Sequence, residues 1–161
     1  RWLVTCDHAT NTVPAEVAGG DLGLPPEDMA RHIAYDPGAA GVSLALAELL
    51  DSPCICSNFS RLVIDPNRGE DDPTLLMKLY DGSIIPANRH AGQAEKERRL
   101  NLCYRPYHQE VARLAARQGP LAHRGLPVSS SGQARALEAA AIRARGMSAC
   151  SMPRTNAFRP L

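Results

Sequence analysis

The sequence predicts an α/β domain with a largely parallel sheet, and its order of apolar segments carries this prediction. Residues 2–6 and 54–56 are short apolar segments with the length of buried strands. Between them, residues 39–50 repeat apolar side chains at helical spacing. A third apolar segment, residues 62–64, is short, β-branched and bounded by proline, which is typical of a strand covered on both faces. Strand, helix and strand in this order indicate a parallel sheet covered by helices.

Length and composition restrict the class of protein. The chain has 161 residues, enough for one domain with a core, and 44% of them are hydrophobic. No apolar run reaches the roughly 18 residues of a membrane span. The net charge of +1 gives no reason to expect a nucleic-acid partner. The five cysteines are odd in number and contain no Cys-x-x-Cys pair, which favours a reduced, cytoplasmic compartment.

Polar side chains follow the predicted strands at their carboxyl ends, where open α/β sheets bind ligands. His8 follows the first strand, and Asp7 could orient it. Arg68 offers a planar fork of donors that suits a carboxylate, and Asn67 offers both a donor and an acceptor. The charge of Asp65 could hold Asn67 or Arg68 in place. The alternative is an ordinary turn at residues 65–68 and a hydrogen-bonded loop histidine at position 8.

Three helices are predicted. Residues 26–33 begin with proline and acidic side chains, as a helix amino terminus favours. Residues 39–50 form the second helix, for which Asp36 is either the N-cap or, alternatively, a metal ligand. Residues 94–118 form a long amphipathic helix interrupted near Pro106, since proline removes a backbone donor. The second helix should bury Val42, Leu46 and Leu49, and near the interruption a packing seam should contain Tyr104, Tyr107 and His108.

Residues 69–89 show no regular pattern. An irregular segment of this length in a compact domain is usually functional. We therefore expect it to fold over the ends of the strands.

Long motifs occupy the first three quarters of the chain. They are residues 4–9 with Asn11 and Pro14, residues 31–40 and 60–68, Asp81, Gly82, Ile85, Pro86, Asn88 and Arg89, and residues 104–108. Together these motifs resemble those of the N-formylglutamate amidohydrolase (deformylase) family, and the resemblance covers about residues 2–118.

The resemblance implies a fold, a reaction and a set of site residues. The family is similar to zinc carboxypeptidases and aminoacylases, so a three-layer αβα fold of the zinc-exopeptidase and phosphorylase-hydrolase type is expected, here incomplete. His8 would be a zinc ligand and Asp36 the best candidate for a second. Zinc would polarise the amide carbonyl and lower the pKa of a water molecule toward roughly 7. The carboxylates of an N-acyl amino acid would be held by Arg61, Asn67, Arg68 and Arg89.

The end of the sequence departs from the family. Residues 119–161 contain six arginines, one glutamate, no lysine and no aspartate. The family's later His-Ser-Phe-Thr-Pro and Pro-Trp-His-Val segments and its glutamate base are absent here. Codons for residues 144–152, read from the third base, permit Pro-Trp-His-Val-Gly-Val-Leu-Tyr. We therefore expect an amidohydrolase portion at residues 1–118 and an out-of-frame tail at residues 119–161, the alternative being a divergent helical tail.

Two functions remain open from the sequence. The first is a metal-dependent hydrolase that cleaves the amide bond of an N-acyl amino acid such as N-formylglutamate. The second is a non-catalytic carboxylate-binding domain, or an inactive fragment of such a hydrolase, which keeps Asn67 and Arg68 without metal chemistry. Zinc content per chain would discriminate between them.

Overall fold

The computed structural model describes residues 2–117 and the backbone of residues 125–127. The predicted tail, residues 119–161, therefore lies outside the described residues except for one short strand. In chain order the strands and helices are β1 (Leu3–Cys6), α1 (Pro26–Met29), α2 (Ala39–Leu49), β2 (Cys54–Cys56), β3 (Leu79–Tyr80), β4 (Ser83–Ile84), α3 (Pro86–Arg89), α4 (Gln93–Arg99), α5 (Arg105–Arg117) and β5 (Gly125–Pro127).

A small parallel sheet in the order β2-β1-β5 confirms the α/β prediction. Cys6 lies opposite Cys56 in the pairing of β1 with β2, and Leu3 lies opposite Gly125 in the pairing of β1 with β5. Helix α2 packs against β1 and β2 and completes a strand, helix and strand unit. Both strands were predicted because each is a short apolar segment next to turn residues.

The third predicted strand is wrong, because residues 62–64 are fully buried without joining a sheet. The segment turns at once, with the Val63 N–H bonded to the carbonyl of Ser60 at 2.9 Å. The Ser60 hydroxyl donates to the carbonyl of Ala34 at 2.7 Å and accepts the N–H of Leu62 at 3.2 Å. A serine that bonds nearby backbone competes with the sheet for these groups. An apolar run alone cannot distinguish such a buried turn from a strand.

Helix α2 matches its predicted bounds but not its predicted face. It buries Leu46, whereas the side chain of Leu49 is 58% exposed. Asp36 is not the N-cap, since that position belongs to Gly38, whose φ of 83° is left-handed and favours glycine. The main-chain carbonyl of Asp36 accepts the N–H of Ala39, and the Asp36 carboxylate does not cap the helix. Helix α1 ends at Met29, and residues 31–34 continue as turns.

The segment predicted to be irregular contains a hairpin and a helical turn. Strands β3 and β4 pair antiparallel and are joined by Asp81 and Gly82, both with positive φ (46° and 81°). An Asp-Gly pair with this backbone suits a two-residue hairpin. Helix α3 follows directly after the hairpin.

The predicted interruption of the long helix is confirmed. A π-helical segment, Leu100–Tyr104, separates α4 from α5, and the Arg105 N–H bonds to the carbonyl of Leu100. Pro106, which has no N–H, follows at the second residue of α5. None of the helices in the described part of the chain has the length and apolar composition needed to cross a membrane.

The main hydrophobic core is built around residues 59–64 and is not enclosed between two sheets. Phe59 and the apolar run at 62–64 are completely enclosed by side chains from separate parts of the chain. These include Val17, Leu22, Ile33, Leu75, Ile85, Leu100 and Tyr104.

Candidate functional site

His8 lies directly after β1 and between two buried carboxylates. Its side chain is 4% exposed, its Nε2 atom lies 2.7 Å from Oδ1 of Asp65, and its Nδ1 atom lies 3.5 Å from Oδ2 of Asp36. The predicted partner, Asp7, is not the residue that orients it, because the Asp7 carboxylate accepts the hydroxyl of Tyr107 at 2.6 Å. Both ring nitrogens of His8 therefore face a carboxylate.

Arg61 completes the group by bridging the same two carboxylates. Its guanidinium nitrogens lie 3.5 Å from Oδ1 of Asp36 and 3.1 Å from Oδ2 of Asp65. The guanidinium carbon also lies 5.3 Å from the centre of the Tyr80 ring. Its Nε atom is buried without a hydrogen-bond partner in the described part of the chain. We call His8, Asp36, Arg61 and Asp65 the His8 cluster.

Backbone hydrogen bonds join the segments that carry the cluster. The Asp36 N–H donates to the carbonyl of His8 at 2.9 Å, and the Arg61 N–H donates to the carbonyl of Ala34 at 3.2 Å. After β2, Ser57 donates its N–H to the carbonyl of Cys6 at 2.9 Å, while its hydroxyl accepts the N–H of Ala9 at 3.2 Å. These bonds fix the backbone before and after His8.

The charges of the cluster keep Asp65 ionised. Burial alone would raise the pKa of the Asp65 carboxyl, but the hydrogen bond with His8 and the charges of His8 and Arg61 outweigh it and lower that pKa. An ionised Asp65 accepts the Nε2 proton of His8. Nδ1, the other ring nitrogen of His8, faces Asp36.

The predicted carboxylate-binding residues differ in their surroundings. Arg61 belongs to the His8 cluster, and Arg68 lies beside it, with its Nε atom 3.8 Å from Oδ2 of Asp65 and its side chain 41% exposed. Asn67 is exposed, and its backbone N–H donates to Asp65 at 2.9 Å. Arg89 is exposed at the end of α3, where its backbone N–H donates to the carbonyl of Ile85, and its guanidinium makes no hydrogen bond or ion pair with the residues that the structure describes. The structure therefore gathers Arg61, Asn67 and Arg68 around Asp65, but not Arg89.

Two residues that support the site were not predicted. Asn88 is fully buried and donates to the carbonyls of Leu62 at 2.7 Å and Met77 at 2.8 Å. Arg99 is 1% exposed and donates to the carbonyl of Val63 at 2.8 Å and to Oδ1 of Asn88 at 2.7 Å. Together they satisfy the backbone of the turn that carries Arg61 and Asp65. The motif that contains Asn88 could have indicated its importance from the sequence. Arg99 could not be distinguished in the sequence from the solvent-exposed charged residues of an amphipathic helix.

The aromatic residues of α5 and its preceding π segment form the predicted packing seam. The rings of Tyr104 and His108 lie 4.2 Å apart. Beyond packing, Tyr104 donates its hydroxyl to the carbonyl of Arg68 at 2.6 Å, and Nε2 of His108 lies 3.1 Å from the carbonyl oxygen of Pro66. Burial and the neighbouring Asp7 raise the pKa of Tyr107, so its hydroxyl remains a donor. The seam therefore fixes the far end of residues 60–68.

His8 and Asp36 are the side chains of the cluster that fit two ligands of one metal ion. Tetrahedral zinc with ligands near 2.1 Å separates neighbouring ligand atoms by about 3.4 Å, and His8 Nδ1 lies 3.5 Å from Asp36 Oδ2. A metal-bound histidine commonly donates its other N–H to a carboxylate, as His8 does to Asp65. Within the described residues, no three His, Cys, Asp or Glu side chains form a complete ligand set.

Comparisons with known proteins give a matching family and a similar solved structure. The sequence model of the N-formylglutamate amidohydrolase family matches residues 1–126, which extends past the predicted boundary at residue 118 into β5. The structure is similar to the crystal structure of gene product Atu2144 from Agrobacterium tumefaciens, with a TM-score of 0.73 and 30% sequence identity over 80% of this chain. The chain spans about half of that protein, 51% of its length. A search of curated proteins gives no match.

Proposed function

Because the chain belongs to the N-formylglutamate amidohydrolase family, we propose that it carries part of the active site of a metal-dependent hydrolase. Its reaction would cleave the amide bond of an N-acyl amino acid such as N-formylglutamate. The observation that supports this proposal is the His8 cluster, in which an imidazole lies between two buried carboxylates. A cytoplasmic location is part of the same proposal. So is an incomplete three-layer αβα fold of the zinc-exopeptidase type, with a largely parallel or mixed sheet, to which β1, β2 and α2 would belong.

Zinc is the cofactor that suits this cluster, and His8 and Asp36 are the residues that would hold it. When bound, it would supply a Lewis acid that polarises the substrate carbonyl and makes water a better nucleophile at neutral pH. Asp65 fixes the tautomer of His8 by accepting its Nε2 proton. Arg61 bridges the two carboxylates and offsets their charge. We propose that the third ligand and the general base belong to the later segments of the family, which residues 119–161 lack.

Arg68 is the best candidate for recognising a substrate carboxylate. Its two ion pairs, to Asp65 and Asp72, are long at 3.8 and 3.7 Å, so its donors are not saturated. A guanidinium with free donors binds a carboxylate in a bidentate manner. Exposed Asn67 stands next to it, and Arg61 supplies further positive charge. Arg89 remains a candidate for a second substrate carboxylate.

The cluster's metal-binding role can be tested by zinc content. We expect His8→Ala to lower the zinc retained per chain after dialysis, because one of two described ligands is lost. His90→Ala is the matched control, since His90 is exposed just after α3 and outside the cluster. Elemental analysis of the dialysed proteins gives the readout, with circular dichroism to confirm that both variants fold. Equal zinc in His8→Ala and the parent chain would contradict the proposed site.

A carboxylate-binding domain without catalysis is the second candidate, since only two ligand candidates lie within the described residues. Both candidates require Arg68. We expect Arg68→Ala to weaken binding of N-formylglutamate by about 2 kcal/mol in calorimetric titration. Arg113→Ala, which removes an exposed ion pair with Glu110, should bind like the parent chain. Full affinity in the absence of zinc would favour the second candidate, whereas unchanged affinity of Arg68→Ala contradicts both.

We also propose that the end of the chain is an out-of-frame tail. Its composition, the codon reading of residues 144–152 and a family match that stops at residue 126 support this. Resequencing the encoding DNA tests it. A restored frame should encode Pro-Trp-His-Val and give activity on N-formylglutamate, whereas a confirmed frame with ordinary activity would overturn the proposal.

A further inference from the structure

Three cysteine side chains meet in the β1 and β2 part of the sheet. Cys6 of β1 and Cys56 of β2 are direct partners in the parallel pairing. Cys54 lies two residues before Cys56 on the same strand, so their side chains point to one face of the sheet. The Sγ atoms of Cys54 and Cys56 are 3.8 Å apart. These thiols lie outside the His8 cluster and take no part in the proposed hydrolysis.

We propose that Cys54 and Cys56 form a dithiol site that a low-molecular-weight disulfide, such as oxidised glutathione, converts reversibly to a disulfide within β2. Two residues along a parallel strand span about 6.6 Å. That is close to the upper limit of about 6.8 Å between Cα atoms of bridged cysteines. Bridged cysteines also bring their Cβ atoms to about 3.5 to 4.5 Å, closer than an extended strand holds residues two apart. The bridge therefore requires β2 to bend, and a strained bridge of this kind is easily reduced again.

The surroundings of the four described cysteines select this pair. Cys54 and Cys56 are half-buried, whereas Cys6 and Cys103 are buried. A hydrogen bond with Cys56 lowers the pKa of the Cys54 thiol, and the same contact raises the pKa of Cys56 to about 11. Burial raises the pKa of Cys103 to about 11. The thiolate is the attacking species in disulfide exchange, so Cys54 attacks first and Cys56 resolves.

The exchange proceeds in two balanced steps. The Cys54 thiolate attacks one sulfur of R–S–S–R, which forms a mixed disulfide and releases R–S⁻. The Cys56 thiol then loses its proton and attacks Sγ of Cys54, which breaks the mixed disulfide and releases a second R–S⁻. In total, two protein thiols are oxidised by two electrons, and R–S–S–R takes up both electrons and both protons as two R–SH.

The position of this pair connects it with the loop that carries His8. Ser57 follows Cys56 directly and bonds both the carbonyl of Cys6 and the N–H of Ala9. A bend in β2 at Cys56 moves Ser57 and weakens these two bonds. Oxidation should therefore loosen the backbone on either side of His8 whether or not the chain is catalytic.

The oxidation test uses the folded chain carrying Cys150→Ser, which removes the cysteine outside the described residues. After treatment with oxidised glutathione, free thiols are alkylated and tryptic peptides are weighed. We expect the peptide with Cys54 and Cys56 to be lighter by two hydrogens, without alkyl groups or glutathione, and dithiothreitol to reverse the change. Cys103→Ser, the matched control, should oxidise in the same way.

Two variants identify the order of attack. Cys56→Ser should retain a glutathione group on Cys54 because nothing resolves it, whereas Cys54→Ser should leave Cys56 unmodified. Cys54→Ala repeats the second test with a smaller apolar side chain, and circular dichroism confirms folding of each variant. A parent chain that stays fully alkylatable, keeps glutathione on Cys54, or links Cys6 to Cys56 would overturn the proposal.

Discussion

Two regions that both bury apolar side chains satisfy their backbones differently: the unit of β1, α2 and β2, and the turn at residues 60–68. In the unit, strand pairing and helical hydrogen bonds bind the polar backbone groups. In the turn, the side chains of Ser60, Asn88 and Arg99 supply bonds to the Leu62 N–H and to the carbonyls of Leu62 and Val63. Buried backbone groups need partners wherever they lie. Stability of the turn should therefore depend on a few polar residues, and that of the unit on apolar packing.

The largest expected effect is that of Arg99→Met. Loss of the guanidinium leaves the carbonyl of Val63 and Oδ1 of Asn88 without their donors in a dry interior. We expect the free energy of unfolding to fall by about 3 to 5 kcal/mol, measured by urea denaturation. Arg98→Met is the control, because Arg98 is an exposed neighbour on the same helix, and it should change stability by less than about 1 kcal/mol. Equal losses for the two variants would remove the distinction between the regions.

A packing substitution in the regular unit should have the next largest effect. Leu46→Ala removes a buried side chain of α2 and should cost about 2 to 4 kcal/mol in urea denaturation. Leu49→Ala, one turn later and largely exposed, should cost less than about 0.5 kcal/mol. If Leu49→Ala were as costly as Leu46→Ala, the assignment of the buried face of α2 would be wrong.

The smallest effect in the series is expected for Ser60→Ala. The substitution removes the bonds to the Ala34 carbonyl and the Leu62 N–H while keeping the buried volume nearly unchanged. We expect a loss of about 1 to 2 kcal/mol by thermal or urea denaturation. Ser52→Ala, whose hydroxyl bonds only the carbonyl of Leu50 near the surface, serves for comparison. A larger loss for Ser52→Ala would contradict the role given to side-chain bonds in the turn.

The sequence predicted β1, α2 and β2 because each is encoded within a few neighbouring residues. It also placed His8 and Asp65 near each other, but through a strand at residues 62–64 that does not exist. The backbone of that run is bonded by Asn88 and Arg99, which lie 26 and 36 residues beyond their partners Leu62 and Val63. Contacts at such separation leave no periodic pattern in a single sequence. For the same reason the partner of His8 was taken to be adjacent Asp7 rather than distant Asp65.

The π segment before α5 sets the phase of that helix. An extra residue in one turn rotates everything after it by about 100° about the helix axis. With this phase, Tyr104 contacts residue 68, Tyr107 contacts residue 7 and His108 contacts residue 66. Substitutions on the outer side of α5 leave the phase of the helix unchanged. Inserting or deleting one residue between α4 and Tyr104, in contrast, redirects all three rings. Homologous chains that keep these contacts should therefore vary in composition here but not in length.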